Sequence, residues 1–143
     1  MQLDPNLFAR FQHRDRVLGQ LATAYANFVS DAKRLSEADS PIRGVVISMT
    51  EANSFSASYA TAKVAFRFLV QQADNDSLRG KIVCTLEEPI FGERASLLGF
   101  FTFNAQGIAD LQGPAGSDPI DLNVSAKLVV LHFIELALKH PQP

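Results

Sequence analysis

The run from Ser56 to Gln72 limits the possible folds of this chain more than any other stretch. Ala60, Ala62, Val64, Phe66, Phe68 and Val70 alternate there with Tyr59, Thr61, Lys63, Ala65, Arg67 and Leu69. A period of two marks an extended strand with one buried face, and a helix would scatter the same apolar residues around its circumference. A strand this long needs partners on both edges, and its two phenylalanines need a second layer to cover them. On the other face Tyr59, Lys63 and Arg67 stand four residues apart, roughly 13 Å between neighbours along the strand. The bland reading of that face is a solvated surface. The sharper one is a basic, aromatic-edged binding face for a protein partner or an anionic ligand.

Two helical segments offer the covering layer. Asp4-Pro5 has the form of a helix start, with Asp as cap and Pro in the first turn. From there Leu7, Phe11, Leu18, Leu21, Tyr25, Phe28, Ala32 and Leu35 recur at steps of three and four, interrupted only by Arg14. This coiled-coil-like seam predicts a helix over 4–37, about 45 Å long if unbroken. A small sheet is seldom that wide, so part of the helix is expected to overhang and pack on another copy or another protein. The alternative is two shorter helices, with Gly19 as the kink point. At the other end, a helix over 121–139 carries Leu128, Val129, Val130, Leu131, Phe133, Ile134, Leu136, Ala137 and Leu138 around nearly its whole circumference. Such a helix is expected to be covered on both sides.

Between the helices the chain reads as strands over 43–50, 56–72, 80–88, 94–104 and 108–112. Ser40-Pro41 closes the first helical region. Asn104 to Gly107 is a hairpin signal. The connections are too short for crossover helices, so the sheet is expected to be antiparallel. Leu97, Phe101 and Phe103 on one side and Leu98 and Phe100 on the other predict a fourth strand buried on both faces. The fold class is therefore α+β: a long N-terminal helix, an antiparallel sheet of four or five strands and an apolar C-terminal helix, in one domain of 143 residues.

No motif names an activity. Ser30-Asp31-Ala32-Lys33 has the letters of an acyl-serine site but falls within the helical seam and lacks every companion motif. His13-Arg14-Asp15 has no Gly-rich loop before it. Gly113 to Ser117 lacks the lysine of a phosphate loop. Asp74 to Arg79 starts like a calcium loop but has Arg79 where glycine is needed. His13, His132 and His140 have no metal-site spacing, with His132 expected to pack in or beside the last helix. Glu87, Glu88 and Glu93 with Arg94 read as a solvated hairpin tip. Cys84 shares a period with Ile82 and Leu86 and reads as a small buried hydrophobe. No cofactor or metal is expected. A net charge of −2 and a pI near 5.9 give no support to nucleic-acid binding. The most apolar stretch, Leu128 to Leu138, is too short to span a bilayer, and the first residues are polar, so a cytoplasmic location is expected.

The expected function is a non-enzymatic protein-interaction role as a homodimer: an adaptor, a chaperone-like protein or an inhibitor. Phe28, Leu35, Leu131 and Leu138 are the candidate dimer contacts, and Tyr59, Lys63 and Arg67 the candidate binding residues. The alternative is a small-molecule binding or sensing domain, or a small enzyme, with a pocket between sheet and helix lined by those same three residues.

Overall fold

Alternating strands joined by short turns form a meander, and here seven of them lie side by side in chain order with both helices on one face. The structure, a computed structural model, describes residues 1–73, 77–87, 96–113 and 118–140. The chain runs through α1 (Leu7–Lys33), a 3-10 turn (Arg34–Ser36), β1 (Val46–Glu51), β2 (Ser54–Tyr59), β3 (Ala62–Gln72), β4 (Leu78–Leu86), β5 (Ser96–Phe103), β6 (Ile108–Gln112), β7 (Pro119–Asp121) and α2 (Ala126–Lys139). Every neighbouring pair of strands is antiparallel, as expected.

Among the described residues the sheet has seven strands rather than four or five, for two reasons. The run over 56–72 is not one strand. It folds back at Ala60 and Thr61, where Ala60 adopts a φ of +53°, so that Tyr59 pairs with Ala62 and Phe55 with Phe66. No Asn-Gly or Asp-Gly dipeptide marks this two-residue turn, and the alternation passes through it unbroken. The second addition is β7, which precedes α2 and shortens that helix from its expected start at 121 to Ala126. Asp121 caps this corner: its carboxylate accepts the Asn123 backbone N–H at 2.9 Å, and its carbonyl accepts the N–H groups of Val124 and Ser125. Asn123 ties the corner to the first helix, accepting from Asn27 Nδ2 at 2.8 Å and donating to the Gln106 carbonyl at 2.9 Å.

The first helix is continuous through Gly19. It begins at Leu7 rather than Asp4, after a turn in which the Asp4 carboxylate accepts the Asn6 N–H and pairs with Arg10. It does overhang. Leu21, Ala24, Tyr25, Phe28, Val29 and Ala32 are buried on the sheet, whereas Leu7, Phe8, Phe11 and Leu18 remain 42%, 78%, 51% and 42% exposed.

The core is an aromatic cluster between α1, α2 and the sheet. Phe28 lies within 6.4 Å of the rings of Phe55, Phe66 and Phe101, and Phe133 from α2 meets Phe66 and Phe101 from the other side. Room for Phe103 comes from Gly80, directly across β4, where a Cβ would run into that ring. Two expectations of double coverage fail. On β5, Phe101 and Phe103 are buried but Leu97 and Phe100 are 60% and 55% exposed, because no described element packs on the far face of the sheet. On α2, Ala126, Val129, Val130, Phe133, Ile134 and Ala137 are buried, while Leu128, His132, Glu135 and Leu138 face outward. Among the described residues no helix is long and apolar enough to cross a membrane.

Candidate functional site

The register places the candidate binding residues on two different faces. Lys63 and Arg67 lie on the open face of β3, away from the helices, paired with Ser58 and Ser54 of β2. Tyr59 does not join them. A two-residue hairpin pairs odd positions of β2 with even positions of β3, so Tyr59 shares the helix-side face with Ala62, and its ring rests against Gly44. Tyr59 would be level with Lys63 and Arg67 only in an unbroken strand. The expected pocket between sheet and helix lined by these three residues is therefore not formed: Lys63 and Arg67 are on the wrong side of the sheet.

The open face brings other residues to Lys63 and Arg67. Arg67, Val83 and Phe100 form one row across β3, β4 and β5, and Leu69, Lys81 and Thr102 form the next. Arg79 follows beside Gln71, and Thr85 and Leu97 continue the face on the other side. Four cations thus stand around a strip of Val83, Phe100, Leu97 and Leu69. Lys63 pairs with Glu87 at 3.2 Å. Lys81 stands over the Phe100 ring, 4.3 Å from its centre. Arg67 and Arg79 take part in no ion pair among the described residues. The β4 alternation of Arg79, Lys81 and Val83 was readable beforehand, but their place beside Arg67 depends on the register between strands.

On the helix side, a groove of about 500 Å³ runs between α1 and the β1–β2 turn, walled by Ala22, Tyr25, Ala26 and Val29 from the helix and by Met49, Ala52 and Phe68 from the sheet. Tyr25 stacks on Phe68, with ring centres 4.7 Å apart and planes within 11°. Its hydroxyl is shut from solvent and has no hydrogen-bond partner among the described residues, and burial pushes its pKa up to about 12.

The candidate dimer residues also divide. Phe28 and Leu35 are 0% and 4% exposed within the single chain, so they are core residues and not contacts for another copy. Leu131 is half-buried and lines a cavity of about 290 Å³ with Leu35 beside the segment 37–42, whereas Leu138 is 49% exposed. The seam period from Leu7 to Leu35 could not show which half the sheet would take.

No group of three or more His, Cys, Asp or Glu side chains that could hold a metal occurs among the described residues. Cys84 is fully buried, and burial drives its thiol far above the ordinary range, so it is no nucleophile. His132 is exposed on α2, its ring edge-on to that of Phe133. Glu88, Glu93, Arg94, the acidic residues of the calcium-like loop at 74–76 and most of the glycine-rich loop at 114–117 lie outside the described residues. Comparison with protein families, with curated proteins and with solved structures finds no match to this chain.

Proposed function

We propose that this chain is a non-enzymatic protein-interaction protein of the cytoplasm that acts as a homodimer and offers the open face of its sheet to a further protein partner. One observation carries the reading: the exposed apolar face of the overhanging half of α1, formed by Leu7, Phe8, Phe11 and Leu18. Scattered exposed leucines are ordinary on any protein surface. Two phenylalanines and two leucines along one side of one helix, broken at Arg14, are exposed apolar surface of the kind that marks an association site. The seam that buries the second half of the helix continues into the first half, interrupted only by Arg14, so the same packing chemistry is available to a second chain. Light scattering after gel filtration tests this. The wild type is expected at twice the mass of one chain, and Phe8→Glu/Phe11→Glu at the mass of one. Equal masses for the two proteins would refute the role given to this patch.

The groove beside Tyr25 favours a second reading, a small-molecule binding domain. Its volume falls in the range of small-ligand sites. Its walls offer few convergent polar groups, and for that reason it ranks behind the interaction role.

A further inference from the structure

Granted the homodimer proposed above, we infer that the groove between α1 and the β1–β2 turn is completed by the second copy, whose Leu7–Phe11 end lies in it antiparallel, about a twofold axis at Leu18. Leu7, Phe11, Leu18, Ala22, Tyr25 and Val29 fall on one stripe of the helix, at steps of three, four and seven. The stripe changes character at its middle. Up to Leu18 it is exposed, and from Ala22 to Val29 it forms the wall of the groove.

The two halves match in length. Leu7 to Leu18 and Leu18 to Val29 each span about 16 Å at 1.5 Å per residue. A twofold axis at Leu18 therefore sets the partner's Phe11 against Tyr25 and the partner's Leu7 against Val29. They also match in shape: the exposed half carries bulky side chains, while the groove has the small Ala22, Ala26 and Ala52. Charge favours this direction over the parallel one. A parallel pairing would set Arg14 of the seam against the partner's Arg14, whereas the antiparallel pairing sets it against Ala22.

The area is that of a modest interface. Leu7, Phe8, Phe11 and Leu18 expose roughly 400 Å² together, given 150–250 Å² for a large side chain. Counted on both copies they contribute about 800 Å², and the groove, whose Tyr25 and Val29 walls are already buried, adds less than they do, which brings the contact to about 1,000 Å², the lower end for a specific interface.

Disulfide trapping tests the geometry. Leu18→Cys is a clean probe because the chain's single native cysteine, Cys84, is fully buried. Leu7 and Leu18 are both 42% exposed, so neither substitution opens the core. Under mild oxidation at least half of L18C should become a disulfide-linked dimer. L7C should remain unlinked, since its two copies would lie about 33 Å apart along the paired helices. Linking of L7C as efficient as that of L18C would show a parallel pairing and overturn the inference. A wild-type dimer in which L18C fails to link would also overturn it while leaving the homodimer in place. A wild type that stays at the mass of one chain would remove both.

Discussion

The rings of Phe55 and Phe66 lie face to face across the β2–β3 hairpin, 4.9 Å apart and within 10° of parallel. Phe28 from α1 and Phe133 from α2 close on the pair from above. This contact joins the hairpin to both helices, and Phe66 is fully buried within it. Phe66→Ala is expected to cost roughly 3–5 kcal/mol, through lost transfer energy and a residual cavity. Urea unfolding measures it, and a loss under about 1 kcal/mol would contradict the place given to Phe66.

Lys63 and Arg67 lie on the uncovered face, so their charges should matter little to folding. Reversing both to Glu breaks the Lys63–Glu87 pair, which is about half solvent-exposed and worth no more than about 1 kcal/mol. The melting temperature should therefore fall by only a few degrees, while binding of a partner to the open face should weaken. Thermal melts decide the first half. Unfolding of the double variant would mean that the pair belongs to a network essential to the fold.

Among the described residues burial displaces two titrations upward, those of Tyr25 and Cys84, and both lower stability at alkaline pH; Tyr25 is the one that lines the groove. Its pKa is pushed up to about 12 by burial, above the ordinary value of 10.0. The folded chain therefore holds this proton more tightly than the unfolded one. The stabilising contribution is complete below about pH 10 and is lost as pH rises toward about 12. Tyr25→Phe should remove this loss and, by deleting a buried hydroxyl without a partner, should leave stability at pH 7 unchanged or raised by about 1 kcal/mol. Denaturant melts of both proteins between pH 8 and 11 check it. An identical alkaline decline in the two would assign the effect to other groups.

Much of this fold was legible in residue order. The period-two run around Phe66 and the seam from Leu7 to Leu35 both encode one buried face, and that alone implies helices laid on an antiparallel sheet. The turn at Ala60-Thr61 was hidden because neither residue is a turn former and a two-residue loop leaves the alternation intact. That hidden turn moved Tyr59 to the other face from Lys63 and Arg67. The basic strip was only half legible: alternation assigns a residue to a face, but the register that brings Lys81 and Arg79 beside Arg67 is a tertiary property. Phe28 was misassigned to a dimer contact for a related reason. Seam residues look alike whether the covering surface is the chain's own sheet or a second chain, and the sheet covers Phe28 but stops short of Phe11.

The exposed half of α1 is proposed as an association surface. Sedimentation equilibrium of the wild-type chain at micromolar concentration addresses it without any substitution. The expected result is a species of twice the 15.6 kDa of one chain, dissociating on dilution. A single species at 15.6 kDa across the whole concentration range would contradict it and leave Phe8 and Phe11 as solvent-exposed residues of a monomer.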